Sequence, residues 1–455
     1  MSSDQLCQPF HSLEICSWAD EDSCRINELP DPILHHLLSF LPTKLSVATS
    51  ILSKRWRYLW TEVPALDFED KPDREADENH RKAFEKFVDG VLRLNKQVSL
   101  QKFRFNCHPN YSNKDYSSFH TWIDEVIRRG IVEEVDISIS PYLHRSYKLT
   151  RIYHPMIKNL KVLKLSYGIL IEDCTSICFP SLKILHLKLI DYRNDQSVPS
   201  LLRGCSSLEV LVINRSSVFD NVGNFIISVP TLKTLSYVTN QGYREYYITR
   251  LGIYQLTINA PALEYLNIQD DGRKITLCFE SPFIRLIQAN ISFQGTCLFQ
   301  VVKAVCNARF LSLKLDDSEL DEASLKYESF PLFHNLTRLE LCRFIAMTDY
   351  YDLDVVQRFL ENSPNLQFLN INMESLWRAA KVSEAEKEER VPKYLSPNLT
   401  KIYLRKTTNR PWLEMGNDWK WQMELRRICL TGLRVVEALV DYILIGLLCS
   451  IAHAP

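Results

Sequence analysis

The sequence predicts an α/β protein in which a short N-terminal helical module precedes a curved solenoid whose strands form a parallel sheet. Two observations support this prediction. Residues 26–60 carry apolar side chains at steps of three and four, which is the spacing of one helix face. From residue 100 onward, the pattern apolar-x-x-apolar-x-apolar recurs twelve times, with first positions 21 to 33 residues apart. Recurrence at this period is typical of repeat proteins whose neighbouring repeats share one core.

The helical module opens at Leu29-Pro30. Asp31 is predicted to cap the first helix, with Pro32 at its first position and Pro42 at its end. A second short helix is predicted over 45–52 and a further helical turn from residue 53. About thirty-five residues of compact helix cannot bury this much apolar surface alone, so part of it is expected to face a partner. An ordinary helical hairpin at the edge of a domain is the alternative.

This stretch resembles the F-box, the short helical module that docks onto the Skp-type adaptor of SCF ubiquitin ligases. The resemblance rests on the apolar helix face, on Leu41-Pro42 and on the run Ser53-Lys54-Arg55-Trp56. It implies that the chain binds this adaptor and, through it, a cullin-RING ligase. The residues that it assigns to the adaptor contact are Leu29, Pro30, Ile33, Leu34, Leu37, Leu38, Leu41, Pro42, Ser53, Arg55, Trp56, Leu59 and Trp60.

Charge and cysteine content argue against several classes of function. The 455 residues carry a formal net charge of −1, so no basic field attracts nucleic acid or an acidic membrane surface. The thirteen cysteines are scattered, and the first residues lack the basic start and apolar core of a signal peptide. Reduced thiols in the cytosol or the nucleus are therefore expected. Matches to the N-glycosylation pattern at Asn110, Asn335 and Asn398 have no consequence without secretion.

Composition also divides the chain into segments. The run 67–80 is rich in carboxylates and contains Pro72, so it is predicted to be a solvated linker. The apolar run in the C-terminal tail is shorter than the roughly 20 residues that span a bilayer, so no membrane contact is expected. The predicted segments are a flexible leader (1–23), the F-box (24–66), the acidic linker with a helix (67–94), the repeats (95–405), a divergent region (391–440) and an unassigned tail (441–455).

Each repeat is predicted to supply one strand of the parallel sheet. Its last two apolar residues alternate with polar ones, as in a half-buried strand, and its first lies in the preceding turn. Prolines at 180, 230, 261 and 364 stand two residues before that first position, and 198–205 and 353–362 are predicted to be outer helices. The weakest match is Ile284-Ile287-Ala289. The twelve patterns begin at Leu100, Val132, Leu160, Leu182, Leu208, Leu232, Leu263, Ile284, Ala308, Leu336, Leu366 and Leu399.

The sequences of the repeats are similar to those of plant F-box proteins with leucine-rich repeats, as in ISVPTLKTLSYV and FLENSPNLQFLNI. Many members of that family end in a short FBD domain. Val391-Pro392 through Leu404 fits the start of that domain, and residues 424–427 and 434–440 fit its final helix and strand. Residues 407–422, with three tryptophans, depart from the family pattern.

No catalytic, cofactor or metal site is predicted. The sequence contains no nucleophile elbow, no phosphate-cradling glycine loop and no His-Glu-x-x-His. The pair Cys174-x-x-x-Cys178 lacks a second pair at zinc-finger spacing, so two core thiols are the favoured interpretation. The chain is therefore expected not to be an enzyme.

A target-binding surface is expected along the sheet instead. The middle residue of each strand points away from its buried neighbours. This set of residues is polar, mixed in charge and rich in amides, which suits protein recognition, although a neutral solvated face is the alternative. The positions assigned to target binding are Lys164, His186, Asn267, Glu340 and Asn370.

The leading hypothesis is a substrate-receptor subunit of an SCF-type ubiquitin ligase. The F-box would hold the adaptor, and the repeats would recruit an unknown target protein for ubiquitination. A protein-interaction scaffold that delivers no substrate is the second hypothesis. A small-molecule receptor that uses the repeat solenoid is the third.

Overall fold

A computed structural model gives the fold in two compact units. The N-terminal unit comprises residues 1–208 with 219–221, and the C-terminal unit comprises 209–218 with 222–455. The structure describes residues 25–70, 78–97, 99–107, 117–129, 131–139, 147–149, 157–172, 178–216, 222–240, 254–294, 298–315, 329–342, 358–372 and 398–405.

The N-terminal unit begins with the helical module. Its first helix ends at Leu38, four residues before Pro42, and Pro42 occupies the N-cap position of the second helix. Asp31 is the first helical residue rather than the cap, so the predicted cap is wrong; Pro30 occupies that position, and the Asp31 carboxylate binds Arg55. The helices are a 3₁₀ turn at Arg25–Glu28, α1 (Asp31–Leu38), α2 (Thr43–Ala48) and 3₁₀ turns at Thr49–Ile51 and Trp56–Glu62.

A parallel sheet follows in the same unit, with the strand order β1-β2-β3-β5-β7. A second, small parallel sheet joins β4, β6 and β8. The strands are β1 (Ala65–Asp70), β2 (Ser99–Cys107), β3 (Ile131–Ile139), β4 (Tyr147–Lys148), β5 (Val162–Ser166), β6 (Ile169–Ile171), β7 (Ile184–Lys188) and β8 (Asp191–Tyr192). The helices are α3 (Glu78–Leu94), α4 (Ser117–Arg128), a 3₁₀ turn at Ile157–Asn159 and α5 (Ser197–Arg203).

Strand β1 corrects the prediction of a linker that begins at Asp67. Val63, Leu66 and Phe68 are at most 2% exposed, so they form a thirteenth copy of the repeat pattern, directly after the helical module. The charges that suggested a linker alternate with these buried positions: Asp67 faces outward and pairs with Arg104 at 3.2 Å. Of the remainder of the predicted linker, 71–77 lie outside the described residues, and 78–80 belong to the first turn of α3, where the linker prediction is wrong.

Val63 joins the helical module to the sheet. Its side chain packs in the module's core with Leu34, Leu38, Trp56 and Leu59, and it also holds the first position of the β1 repeat pattern. Backbone contacts reinforce the junction, because the Asp67 N–H donates to the Thr43 hydroxyl at 2.7 Å. The Lys96 N–H likewise donates to the Thr61 carbonyl at 2.8 Å, and the Gln101 N–H to the Pro64 carbonyl at 2.7 Å. The module and the first repeats therefore form one packed body.

The C-terminal unit continues the repeat pattern in a parallel sheet, with the order β9-β11-β13-β14-β15-β16-β17-β18. A parallel sheet is also formed by β10, β12 and the second half of β13. The elements are β9 (Val210–Ser216), β10 (Asn224–Ser228), β11 (Thr234–Asn240), β12 (Tyr254–Asn259), β13 (Tyr265–Phe279), β14 (Gln288–Gln294), α6 (Leu298–Ala304), β15 (Phe310–Leu315), β16 (Arg338–Cys342), β17 (Phe368–Asn372) and β18 (Lys401–Arg405).

One predicted repeat is out of register. Ile284 is 80% exposed, whereas Leu286 is 3% exposed. Ala289 of β14 pairs with Leu266 of β13, so the pattern is Leu286-Ala289-Ile291, two residues later than predicted. The predicted pattern was misaligned because the central position of this repeat holds the small residue Ala289, where most of the repeats have a leucine. At the other eleven patterns, every side chain whose burial is described is buried.

The register correction predicts unequal effects of two neighbouring truncations. Leu286→Ala should lower the free energy of unfolding by about 2–5 kcal/mol, because it empties a filled core site. Ile284→Ala should change it by less than about 0.5 kcal/mol, because that side chain is largely in solvent. Urea unfolding of the intact chain measures both. Equal losses of unfolding free energy in the two variants would support the predicted register, Ile284-Ile287-Ala289, instead.

Prolines and asparagines shape the turns before the strands. In the turn Phe179-Pro180-Ser181-Leu182 the Leu182 N–H donates to the Phe179 carbonyl at 3.1 Å, and proline suits the second position of such a turn. An asparagine stands directly before the first apolar position in four repeats of the C-terminal unit, and each side-chain amide donates to a carbonyl of the preceding repeat. These bonds run from Asn307 to Phe283, Asn335 to Asn307, Asn365 to His334 and Asn398 to Pro364, at 3.4, 3.4, 2.8 and 3.2 Å.

These four asparagines, which we call the asparagine ladder, account for two of the glycosylation-like matches. In Asn335-Leu336-Thr337 the asparagine amide and the threonine hydroxyl both bind backbone carbonyls of the preceding repeat. Asn398-Leu399-Thr400 repeats this arrangement. The Asn-x-Thr spacing therefore serves the contact between repeats.

The other predictions have mixed outcomes. The outer helix at 198–205 is confirmed as α5 (Ser197–Arg203), and 358–361 are helical within the second predicted helix, whose first residues lie outside the described part. Cys178 is exposed, so its assignment to the core is wrong, while Cys174 is outside the described residues. The leader, residues 391–397 and 406–440 of the divergent region, and the tail also lie outside them. Among the described helices, none combines the length and apolarity that crossing a bilayer requires.

Candidate protein-interaction surfaces

The helical module exposes an unusual amount of apolar surface. Of the thirteen large apolar residues that are exposed in the described part of the chain, nine lie between Ile26 and Tyr58. Exposed apolar residues that stand singly are ordinary, but this density within one small module marks an interaction site. We call these nine residues the apolar face: Ile26, Ile33, Leu37, Phe40, Leu41, Leu45, Ile51, Leu52 and Tyr58.

The residues predicted to touch the adaptor fall into two groups. Ile33, Leu37 and Leu41 belong to the apolar face and are 46%, 43% and 37% exposed. Pro30 is exposed, while Leu29, Pro42 and Ser53 are half-buried. Five others are at most 6% exposed, and four of them, all except Trp60, pack with Val63 in the core of the module, so they support its fold. That they touch the adaptor stays a prediction. These five are Leu34, Leu38, Trp56, Leu59 and Trp60.

Arg55 clamps the start of the module. Its guanidinium donates to the carbonyls of Asn27 and Leu29 and to the Asp31 carboxylate, with the Nε–Oδ1 distance to Asp31 at 3.1 Å. The Trp56 indole adds a 2.7 Å bond to the Asn27 side chain. Arginine suits this position because its planar fork binds several acceptors at once. Arg55 therefore holds the segment before α1 in place. The sequence pattern alone does not distinguish this structural role from a direct contact with the adaptor.

The outward face of the N-terminal sheet carries a row of charged residues. Asp67, Arg104, Asp136, Lys164 and His186 are Cα partners on successive strands. Arg104 lies 3.2 Å from Asp67 and 4.0 Å from Asp136, and Lys164 lies 3.0 Å from Glu134. Burial raises the pKa of Asp136, against the opposing effect of Lys164. The cations of this row are thus already balanced within the chain.

The corresponding row of the C-terminal sheet is mostly uncharged. Asn267 pairs with Asn290, and Asn290 with Ser312, so Asn290 of β14 occupies the same outward position as Asn267 of β13. The Asn267 amide donates to the Ser236 hydroxyl at 3.0 Å, and Glu340 accepts from Arg338 at 2.6 Å. We call this set the amide row: Ser236, Asn267, Asn290, Ser312, Glu340 and Asn370.

All five predicted target-binding residues are half-buried on these outward faces. Lys164 and His186 lie in the charged row of the N-terminal unit, and Asn267, Glu340 and Asn370 lie in the amide row of the C-terminal unit. The alternation that placed them outward is therefore correct. Whether they bind a target stays a prediction.

Comparison with known proteins agrees with this architecture. The F-box domain model matches residues 26–66, and the model described as At1g61320/AtMIF1, LRR domain, matches residues 91–406. The putative FBD-associated F-box protein At3g50710 of Arabidopsis thaliana is 35% identical over 353 residues, which cover 76% of each chain. This chain belongs to the F-box/FBD/LRR-repeat family. The F-box/FBD/LRR-repeat proteins At4g26340 and At4g00160 of the same plant are 32% and 31% identical, over 76% of this chain and 76% and 71% of their own lengths.

F-box domains generally bind Skp-type adaptors, and F-box/LRR proteins are typically non-enzymatic. The residues that the family resemblance assigned to the adaptor contact include only three of the nine residues of the apolar face. The reason is that the family pattern follows the periodic core positions. Of the missed residues, the first stands before the assigned positions and the others stand between them; they are Ile26, Phe40, Leu45, Ile51, Leu52 and Tyr58. The signal available in the sequence was the excess of apolar residues over what so small a module can bury.

The charged row gives this F-box/FBD/LRR protein a predicted pH response. Burial lowers the pKa of His186 below its ordinary value of 6.5, and Lys164 lowers it further. The unfolded chain therefore binds the proton more readily, so the stability contributed at neutral pH is lost as the pH falls from about 6.5 through the folded-state pKa. His186→Gln should flatten this decline in urea unfolding at several pH values. His334→Gln, at an exposed histidine, should leave it in place.

Proposed function

We propose that this F-box/FBD/LRR protein is a substrate receptor of an SCF-type ubiquitin ligase. The observation that carries the proposal is the apolar face of the F-box. Nine large apolar side chains in contact with water are costly unless a partner covers them, and a Skp-type adaptor is the partner that F-box domains bind. The adaptor would connect the chain to a cullin-RING ligase.

The repeats would supply the target-binding part of the same molecule. Both compact units present rows of polar side chains on the outward face of a parallel sheet, and such faces are the usual binding surfaces of repeat proteins. The chain would perform no bond chemistry, because its contribution is to hold a target protein near a ubiquitin-loaded enzyme. We place this activity in the cytosol, the nucleus or both.

The test is affinity purification of the intact chain from cells, with and without proteasome blockade. A receptor should bring down the adaptor and cullin in both conditions, and its target should accumulate and carry ubiquitin only under blockade. A scaffold that delivers no substrate would retain the same unmodified partners in both. Absence of adaptor and cullin in both samples would contradict the proposal.

A small-molecule receptor is less well supported. A recess of about 480 Å³ lies on the C-terminal sheet face, within the size range of ligand sites. Five of its seven lining residues are polar or charged, whereas small-molecule sites are lined mainly by apolar and aromatic side chains. Native mass spectrometry of the purified chain tests this alternative, because a retained ligand would support it.

A further inference from the structure

A second row of outward residues runs beside the amide row in the C-terminal unit. It contains the first residue of each strand from β13 to β18, and successive members are Cα partners across neighbouring strands. We call it the aromatic row: Tyr265, Gln288, Phe310, Arg338, Phe368 and Lys401. Aromatic residues stand on every second strand, and residues with long hydrogen-bonding side chains stand between them.

The aromatic rings are partly exposed, and two of them each contact an arginine. Tyr265 is 43% exposed, while Phe310 and Phe368 are half-buried on the outward face. The Arg338 guanidinium lies 4.4 Å from the centre of the Phe368 ring and pairs with Glu340 at 2.6 Å. Arg309 lies 5.4 Å from the centre of the Phe310 ring. Such contacts fix the rings in advance, which lowers the entropy lost on binding.

The spacing of the rings fits one kind of extended peptide. Neighbouring strands lie about 4.7–4.9 Å apart, so rings on alternate strands recur at roughly 9.4–9.8 Å. A polyproline II helix rises about 3.1 Å per residue, and its three-residue turn therefore repeats at roughly 9.3 Å. Side chains on one side of a β-strand recur at about 6.6–6.8 Å instead. Two turns of an α-helix advance about 10.8 Å.

Hydrogen-bond chemistry favours the same peptide. A polyproline II segment makes no internal hydrogen bonds, so its carbonyl oxygens need external donors. The amide row provides them beside the rings, through Asn290, Ser312 and the second N–H of the Asn267 amide, whose first N–H donates to Ser236. The recess described above lies between the two rows, with Phe310 as its aromatic wall and Gln288 and Asn290 among its polar residues. An α-helix, whose carbonyls are already paired, would leave these donors unused.

We propose that the sheet face from β13 to β17 binds a proline-rich segment of the target in the polyproline II conformation, running across the strands. The segment places an apolar side chain at every third position against Tyr265, Phe310 and Phe368. This inference rests on the proposed function only for the source of the segment, which is the target protein. The corresponding row of the N-terminal sheet contains no aromatic residue, so we assign the segment to the C-terminal unit. That row is Ala65, Lys102, Glu134, Val162 and Ile184.

The test uses the full chain co-purified with its adaptor and three fluorescent peptides. One peptide contains four Pro-Pro-Leu repeats, the second has the same composition with the leucines clustered, and the third is a helical peptide with leucines seven apart. We expect the periodic peptide to bind at least about tenfold more tightly than the other two in fluorescence anisotropy. Equal binding of all three, preference for the helical peptide, or no binding would overturn the proposal.

Two variants and one control locate the site. Phe310→Ala should weaken binding of the periodic peptide by about tenfold, and Phe310→Leu, which keeps the apolar bulk, should also weaken it because the flat ring is lost. Ile284→Ala removes an exposed apolar residue outside both rows and should leave binding unchanged. Unaltered binding by both Phe310 variants would overturn the assignment. The adaptor retained in each sample reports separately on the proposed function.

Discussion

Leu37→Lys is expected to weaken adaptor binding by at least about thirtyfold, with little change in the stability of the chain. Leu37 is 43% exposed on the apolar face, in the last turn of α1. A lysine at this place is compatible with the helix, because a cation is favourable near a helix C-terminus. In the complex, however, its ammonium group would be buried against apolar side chains without a partner, which costs about 2 kcal/mol or more.

Binding of the purified adaptor is measured by calorimetry beside urea unfolding of the same samples. Ile284→Lys makes the same kind of change at an exposed apolar residue of the C-terminal unit and should leave adaptor binding intact. Leu34→Ala, in the core beneath the apolar face, should instead lower the free energy of unfolding by about 2–5 kcal/mol. If a folded Leu37→Lys protein bound the adaptor with wild-type affinity, the adaptor contact would not lie on this face.

Val63→Asp is expected to destabilise the F-box and the first strands together, by more than about 4 kcal/mol. Val63 is 2% exposed and belongs both to the F-box core and to the repeat pattern of β1. A buried carboxylate without a partner is among the most costly single changes, and native domains have only about 5–15 kcal/mol of stability. Because the two cores meet at this side chain, damage should spread in both directions.

Amide hydrogen exchange distinguishes this outcome from the behaviour of separable modules. In Val63→Asp, protection should fall in α1 and in β2 alike, and adaptor binding should be lost with it. Glu62→Ala, at the adjacent half-exposed side chain, should leave protection in both elements near wild type. Loss of protection confined to α1, with β2 unaffected, would restore the idea of two modules joined by a linker.

Strong periodicity explains what the sequence predicted well. Eleven of the twelve strand patterns are in register, because a leucine or similar side chain is needed at each inward position to cover the neighbouring repeat. The exception, around Ala289, arose where a small residue fills an inward site beside exposed isoleucines. The strands of the small sheet formed by β4, β6 and β8 were not predicted, since segments such as Ile169–Ile171 are too short to establish a period.

Two predictions failed for different reasons. Acidic residues suggested a linker at the junction of the F-box and the sheet, and the sequence pattern of the F-box did not separate its buried residues from its exposed ones. Asp67, Glu69 and Asp70 made the β1 segment look like a linker, although Asp67 is paired and Asp70 is only 4% exposed. Among the F-box residues, family resemblance does not separate those that support the fold, such as Trp56, from those that face outward, such as Leu37. That distinction depends on how the short helices and 3₁₀ turns pack against one another, which linear spacing does not encode.

The asparagine ladder makes the stability of the C-terminal unit depend partly on contacts between neighbouring repeats. Each rung connects only adjacent repeats, so the free energy of the array is approximately a sum over repeats and over the contacts between neighbours. Loss of the Asn398 rung weakens the contact between the repeats of β17 and β18, and loss of the Asn335 rung weakens the contact between those of β15 and β16. Backbone pairing of the strands remains in both cases. The effects of substitutions at well-separated rungs should therefore add.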